Sequence, residues 1–299
     1  MQTWSSIISL DHVLIATADL AAAKAACEQM GFKVVYGGSE ERALNALIFL
    51  QDGTLVELIG KDRFPRFLAS LQRLRFTLPF GLMIDRIAAF PRVPSGFFGL
   101  SLHTTDLETT QRQLRTSRIR VGAPTWMSRQ RDDSVTVRWR LLGTRPYDLP
   151  FFIGDYHPSR LSDPSLLIHP NGAIGIASIS IGCKEFSRYI NIYEHLLGTA
   201  PLVTTHDGRR CANFDLRGSS ITLMEVNAVR TIYTDEDGSF PLSIVIRHHR
   251  GNAETEHIPL DVAKIEAIRP PQGQLPAWGR SQLHPAQQQR VGRHDHRAS

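Results

Sequence analysis

Apolar and polar residues follow the same order in three successive stretches of the chain. The first stretch opens with the apolar run LDHVLIATADL (10–20), which predicts a strand that leads into a helix. Asp19 is a suitable N-cap for that helix, and Gly31 is placed to end it. The strands predicted to follow are KVVY, ALNALIFL and TLVELIG, which polar turns separate.

The second and third stretches repeat this layout, and we call each stretch a unit. FFGLSLHTTDL (97–107) opens the second unit with Asp106 at the position of Asp19, and GIASISIGCKEF (175–186) opens the third. A later apolar run, FPLSIVIRHH, predicts one more strand with no helix after it, as in the remnant of a fourth unit. Strand–helix–strand order occurs in any α+β protein, but three units with the same internal order favour a genuine repeat.

The repeat predicts two folded domains and a tail. Residues 1–158 would hold two units with a helical insertion at 61–96, and residues 159–263 the third unit and the partial fourth. The insertion holds two amphipathic segments, which cover a pocket or fill a gap. Residues 264–299 are rich in Pro, Gln, Arg and His, and this composition predicts a disordered basic tail.

Most of the positive charge lies in that tail. The formal net charge is +5, and the six basic and two acidic residues from Lys264 onward account for +4 of it. The rest of the chain is nearly neutral, so we expect no nucleic-acid partner. Apolar residues make up 42% of the chain. Since no uninterrupted run reaches the ~18–20 residues of a spanning helix, we expect no membrane partner.

The cysteines and the first residues bear on location. Cys27, Cys183 and Cys211 lie far apart without CxxC spacing, which argues against a disulfide framework or a zinc knuckle. The opening MQTWSSIISL has no basic segment followed by an apolar stretch, so no secretory signal is expected. These features predict a reducing, cytoplasmic location.

Four segments make the chain resemble the vicinal oxygen chelate superfamily of glyoxalases, bleomycin resistance proteins and extradiol dioxygenases, and more narrowly its glyoxalase-like domain branch. The resemblance implies an α+β fold of tandem βαβββ modules curled around one cavity, which holds a divalent metal in active members. It covers residues 8–226. The segments are LDHVLIATADLAAA, TLVELIG, the stretch from SRQRDDSVTVRWRLL to LPFFIGDYHP, and HPNGAIGIASISIG.

The resemblance implies metal ligands on the first and last strands of a module, and His12 and Glu57 stand there in the first unit. Imidazole and carboxylate suit Fe, Mn, Ni or Zn. Such a metal would polarise two vicinal substrate oxygens. Glu57 is also the candidate catalytic residue, because a carboxylate can accept a proton as a general base.

The other units leave this set of ligands incomplete. Aligning the units puts Gly99 at the position of His12 and Phe151 at that of Glu57, and neither binds metal. In the third unit Glu225 is expected to match Glu57. Asn45 lies in a stretch where relatives often carry a histidine. We therefore treat Asn45, Phe151 and Glu225 as candidate substrate-binding residues.

An arginine-rich stretch supplies further candidates. In SVTVRWRLL, period two puts Trp139 on the apolar face and Arg138 on the opposite face. If one face lines the cavity, Arg129 or Arg138 would hold a substrate carboxylate, and Trp139 and Phe151 would supply apolar wall. The alternative is an ordinary amphipathic strand.

Three functions remain open from the sequence. The first is a metal-dependent lyase, isomerase or dioxygenase acting on a small oxygenated or carboxylated substrate. The second is a metal-free protein on the same fold that binds or sequesters a small molecule, which the missing ligands favour. The third is a relative without activity. Modules of the superfamily pair within a chain or between chains, so a homodimer is compatible with each.

Overall fold

The computed structural model describes residues 8–64, 81–131, 133–158, 160–161, 163–206, 208–227, 239–250 and 254–260. Most of the first predicted insertion segment, RFPRFLASLQRLR, lies outside these residues, as does the predicted tail at 264–299. The second insertion segment, PFGLMIDRIAAF, forms the predicted helix.

The described residues form four α-helices and sixteen strands. The helices are α1 (Leu20–Gln29), α2 (Gly81–Ala89), α3 (Leu107–Thr116) and α4 (Phe186–Leu197). The strands are β1 (Ile8–Thr17), β2 (Val35–Tyr36), β3 (Asn45–Phe49), β4 (Leu55–Gly60), β5 (Gly96–Thr104), β6 (Arg120–Val121), β7 (Thr125–Gln130), β8 (Thr136–Leu142), β9 (Thr144–Arg145), β10 (Phe151–His157), β11 (Ala173–Cys183), β12 (Leu202–His206), β13 (Arg209–Leu216), β14 (Ser219–Glu225), β15 (Ser239–Arg250) and β16 (Glu254–Pro259). No helix in this part of the chain is long and apolar enough to cross a membrane.

Two large sheets share one arrangement. The eight-stranded sheet has the order β2-β3-β4-β1-β5-β10-β8-β7, and the six-stranded sheet has the order β12-β13-β14-β11-β15-β16. In the first, β1 runs parallel to β4 and antiparallel to β5; in the second, β11 stands in the same relation to β14 and β15. The eight-stranded sheet is strongly curled, so the predicted α+β fold with a curled sheet is confirmed.

The apolar run of β1 is explained by burial on both of its faces. Val13 and Ile15 belong to the large core cluster that also contains α1 and α3 side chains. Leu14 and Ala16 point to the other face and pack in a second cluster. Because alternate residues of a strand face opposite sides, a strand covered on both sides must be almost wholly apolar.

The predicted helix ends are confirmed. Asp19 accepts a hydrogen bond from the backbone N–H of Ala22 at 3.0 Å, and Asp106 accepts one from Thr109 at 2.9 Å. Gly31 follows α1 with a φ of +83°, a conformation that favours glycine. Each cap orients its helix against the strand that precedes it.

We predict that Asp106→Ala destabilises the protein by about 1 kcal/mol, because the N-terminal amides of α3 lose their acceptor. Urea unfolding would measure this as a lower midpoint at an unchanged slope. Asp106→Asn keeps a capping oxygen and is the matched control. Equal stability of Asp106→Ala and the wild-type protein would contradict the role of this cap.

Candidate functional site

The curled sheet bounds a cavity of about 660 Å³. Side chains of β1, β3, β4, β7, β8 and β10 line it, together with three residues of α2. Most of the wall is apolar, and His12, Asn45, Glu57 and Arg129 are among its polar groups. A largely apolar concave space with some polar groups is typical of a small-molecule site.

His12 and Glu57 meet in this cavity. In the parallel pairing of β1 with β4, Glu57 lies opposite Leu14, and Leu14 shares a face with His12. His12 is 5% exposed, and its Nε2 lies 3.5 Å from Glu57 Oε2. The strand register therefore brings together the imidazole and the carboxylate that the sequence singled out.

Asp11 fixes the orientation of the His12 ring. A register irregularity in β1 between Leu10 and His12 lets two consecutive side chains approach each other, and His12 Nδ1 lies 2.5 Å from Asp11 Oδ1. An ionised carboxylate only accepts hydrogen bonds, so Nδ1 carries the proton. The Nε2 atom of His12 is then the one that faces Glu57 and the cavity.

The Asp11 carboxylate is buried and charged. Burial by itself raises its pKa, but the Arg160 guanidinium and the His12 hydrogen bond outweigh this and lower the pKa to about 2. Arg160 Nη1 donates to Asp11 Oδ1 at 2.7 Å and to Tyr156 Oη at 3.0 Å. Burial raises the pKa of Tyr156. The result is a fixed ion pair behind the histidine.

A second group of predicted residues surrounds Glu57. Asn45 Nδ2 donates a hydrogen bond to Glu57 Oε1. A Cβ at Gly37 would lie 1.9 Å from Asn45 Oδ1 and 2.8 Å from Arg129 Nη1, so only glycine leaves room for both side chains. Burial lowers the pKa of Arg129, which the negative charge of Glu57 opposes. Asn45 and Arg129 thus line the same cavity as Glu57, and their role in binding a substrate stays a prediction.

The aromatic candidates also line the cavity. The Phe151 and His12 rings pack in a T-shaped arrangement, with 5.6 Å between the ring centroids and 67° between the ring planes. The Trp139 and Tyr156 rings stack, with 6.3 Å between the ring centroids. These rings form apolar wall beside the polar groups.

Arg138 lies outside the cavity. The apolar face of β8, with Val137, Trp139 and Leu141, is the face that lines the cavity. Arg138 is exposed on the opposite face, and Arg140 on that face forms an ion pair with Asp155. Of the two faces of β8 left open by the sequence, the curl of the sheet selects the apolar one.

Glu225 does not correspond to Glu57, which corrects the alignment made from sequence. Ser180 in β11 is the counterpart of Leu14 in β1, since each lies five residues before the N-cap of the following helix. Thr222 lies opposite Ser180, and Glu57 lies opposite Leu14, so Thr222 is the counterpart of Glu57. Glu225 comes three residues later and belongs to the six-stranded sheet. It is absent from the cavity lining described above.

The register of the second unit leaves the first unit's donors without counterparts. In the antiparallel pairing of β1 with β5, His12 lies opposite Ser101 and Leu14 lies opposite Gly99. If the two strands are exchanged, these pairs map onto each other, so Gly99 corresponds to His12 and Ser101 corresponds to Leu14. Phe151 lies opposite Ser101, and Glu57 lies opposite Leu14, so Phe151 corresponds to Glu57. Both positions therefore lack a donor, as the aligned sequences predicted.

The residues present do not fit the divalent metal that the fold implies. A catalytic metal site ordinarily needs three protein ligands. Among the described residues, no group of three or more His, Cys, Asp or Glu side chains is placed to hold a metal ion. His12 and Glu57 supply one imidazole and one carboxylate, which is fewer than three ligands.

Sequence reasoning missed Asp11, Tyr156, Arg160 and Arg86. Asp11 adjoins His12, but only the irregularity in β1 puts the two side chains in contact. Arg160 is 149 residues from Asp11, a separation that no local pattern reveals. Arg86 lies on α2, whose amphipathic pattern was recognised without a role for its charge.

Comparisons with known proteins agree with the geometry. The model of the glyoxalase-like domain family matches residues 10–197. No functionally curated protein matches the chain. The match spans most of the eight-stranded sheet and continues through α4.

Similar solved structures support the fold alone, since their identities are low. A hypothetical protein from Staphylococcus aureus has a TM-score of 0.56 at 17% identity, over 76% of this chain and 89% of that one. A fusion of a xylose isomerase-like TIM barrel with 4-hydroxyphenylpyruvate dioxygenase has a TM-score of 0.50 at 10% identity, over 82% of this chain and 37% of that one. A Mn(II)-bound glyoxalase from Novosphingobium aromaticivorans has a TM-score of 0.43 at 10% identity, over 86% of this chain and 83% of that one.

We predict that Asp11→Asn destabilises the protein by about 3–5 kcal/mol, because it leaves the Arg160 charge buried without its counter-ion. In the double variant Asp11→Asn/Arg160→Gln, the loss should be smaller than the sum of the two single losses. Urea unfolding of the four proteins measures this coupling. Additive losses would contradict a linked ion pair.

The low pKa of Asp11 also predicts a dependence of stability on pH. The folded value of about 2 lies below the unfolded value of roughly 3.9. The stabilisation is therefore complete above the unfolded value and is lost as the pH falls through the folded value. Between pH 5 and pH 2 the wild-type protein should lose about 2–3 kcal/mol more than Asp11→Asn. Parallel pH profiles for the two proteins would contradict this assignment.

Proposed function

Because the chain belongs to the glyoxalase-like domain family, we propose that it is an enzyme that moves a proton on a small oxygenated or carboxylated molecule, as a lyase or isomerase does. The observation that carries the proposal is the contact of His12 with Glu57 in a largely apolar cavity that is partly open to solvent. Apolar walls strengthen the charge interactions of the groups beside them.

Glu57 is the proposed general base. Its Oε1 atom is held by the amide of Asn45, which leaves Oε2 toward His12 and the cavity. A carboxylate in this position accepts a proton from a substrate C–H bond, as general-base catalysis requires. Arg129 lies beside Glu57 in the cavity lining and would balance the negative charge that develops on the substrate.

His12 is the proposed partner of Glu57. His12 donates its Nδ1 proton to Asp11, so Nε2 is the nitrogen that can take a proton from Glu57. The His12 ring protonated in this way can then stabilise the product anion. Asp11 is a positioning residue, since it orients the ring without reaching the substrate. No step in this scheme passes through a metal ion, because the donor set is too small for one.

A second candidate is a metal-free protein that binds or sequesters a small molecule. Gly99 and Phe151 favour it, because they leave the second unit without donors for a metal centre. In this case the same cavity and the same polar groups bind a ligand that leaves unchanged.

The three cysteines bear on the location that we propose for the protein. Cys27, Cys183 and Cys211 are free and buried, and burial raises the pKa of Cys27 to about 12, so it is an unreactive thiol. This supports a reducing compartment, which we take to be the cytoplasm. A homodimer remains a prediction, as does the expectation of no nucleic-acid or membrane partner.

We predict that Glu57→Gln abolishes catalysis and preserves binding. Small carboxylated and oxygenated compounds would first be screened by thermal stabilisation of chelator-treated protein. NMR in D2O would then follow exchange of the C–H protons of each bound compound. Glu57→Gln should slow this exchange by about 10²–10⁴-fold, the usual share of a general base.

Glu225→Gln is the matched control, because Glu225 pairs with Arg210 away from the cavity. Exchange by Glu57→Gln at the wild-type rate would overturn the enzymatic proposal. Ligands that stabilise the protein without exchange or turnover would instead support the binding protein. Compounds that stabilise the untreated protein, with none that stabilises the chelator-treated protein, would contradict both candidates.

A further inference from the structure

Arg86 lies where the second unit would contribute its half of a metal site. A Cβ at Gly99 would lie 3.6 Å from Arg86 Nη2, and the Arg86 guanidinium carbon lies 5.2 Å from the centre of the Phe151 ring. Gly99 and Phe151 are the counterparts of His12 and Glu57. A positive charge therefore stands beside the two positions from which donors are missing.

The position of this guanidinium is fixed by packing. Arg86 is 5% exposed, and its Nη1 donates to the carbonyl oxygen of Leu149 at 2.9 Å. Helix α2 lies directly on the backbone after β8, since a Cβ at Gly143 would come within 2.8 Å of the Met83 nitrogen. The insertion thus delivers one charged side chain to a set place in the cavity.

Arg86 and His12 contact the same ring. His12 packs against Phe151 with 5.6 Å between centroids, and Arg86 lies over Phe151. A divalent cation bound at His12 and Glu57 would lie near this permanent positive charge, which opposes its binding. An anion beside Arg86 would be attracted to this charge instead.

The charges around the cavity also favour an anion. Arg131 and Arg160 are neutralised by ion pairs with Asp133 and Asp11. Among the lining residues that the structure describes, five arginines accompany one carboxylate, Glu57. The lining arginines are Arg42, Arg86, Arg129, Arg131 and Arg160.

We propose that Arg86 binds the carboxylate of an organic acid, and that this contact takes the place of the second pair of metal ligands. The planar guanidinium suits a carboxylate, and the apolar wall suits the organic remainder of the ligand. The inference rests on the proposed function and names its substrate class. A carboxylate held by Arg86 leaves the neighbouring carbon toward His12 and Glu57.

Benzoate and benzamide test this on the full chain, because they share a shape and differ in charge. Isothermal titration should find benzoate bound at least about tenfold more tightly than benzamide, as a charged hydrogen bond requires. Arg86→Gln should remove this preference and leave benzamide binding unchanged. Arg138→Gln, which removes an exposed arginine from the outer face of β8, should keep the preference.

Equal binding of the two probes by the wild-type protein would overturn the proposal, as would a preference retained in Arg86→Gln. If Arg86→Gln does not fold, Arg86→Lys replaces it; a lysine keeps the charge without the planar fork and should weaken the preference. Cobalt(II) titration gives a second readout. Stoichiometric binding to the wild-type protein that is lost in His12→Ala would overturn the replacement of the metal, and absence of such binding would support it.

The two proposals fail in different ways. Equal binding of the probes, together with Glu57-dependent proton exchange on a neutral compound, would overturn only the assignment of Arg86. A preference for benzoate without exchange on any bound compound would overturn only the enzymatic function.

Discussion

The placement of β1 between β4 and β5 is the constraint on which both the core and the cavity depend. Alternate residues of β1 point to opposite faces of the sheet. Val13 and Ile15 pack in the core beside the helices, and Leu14 lies on the cavity face. A shift of one residue in this pairing would turn His12 into the helix-side core and Val13 into the cavity. The burial of the apolar residues thus selects the register that presents the imidazole to Glu57.

The buried charges extend this constraint across the chain. Asp11 accepts hydrogen bonds from His12 and from Arg160, so one carboxylate orients the His12 ring and binds the segment after β10. Removing either partner leaves a charge in a nonpolar interior, which costs far more than a surface ion pair contributes. The histidine is therefore oriented by an interaction that the fold cannot easily give up.

Local patterns were enough to predict much of this structure. The caps at Asp19 and Asp106 and the alternation in β8 depend on neighbouring residues, and they are legible in one sequence. The role of Arg160 depends on its contact with Asp11, which is 149 residues away in the chain. No pattern of neighbouring residues reveals such a contact. Glu225 was misaligned because a shift of three residues is visible only once the strand pairs are known.

The same insertion that breaks the repeat also explains how the second unit could lose its donors. Gly99 has no side chain and Phe151 offers the face of its ring, so together they leave room for a guanidinium from α2. A metal ion would polarise substrate oxygens directly, whereas a guanidinium holds an anion by charge and hydrogen bonds. Under the two proposals, the bond-changing step belongs to the unit that holds His12 and Glu57, and Arg86 on the other side of the cavity binds the substrate. The asymmetry between the two units is then the basis for separate binding and proton-transfer roles.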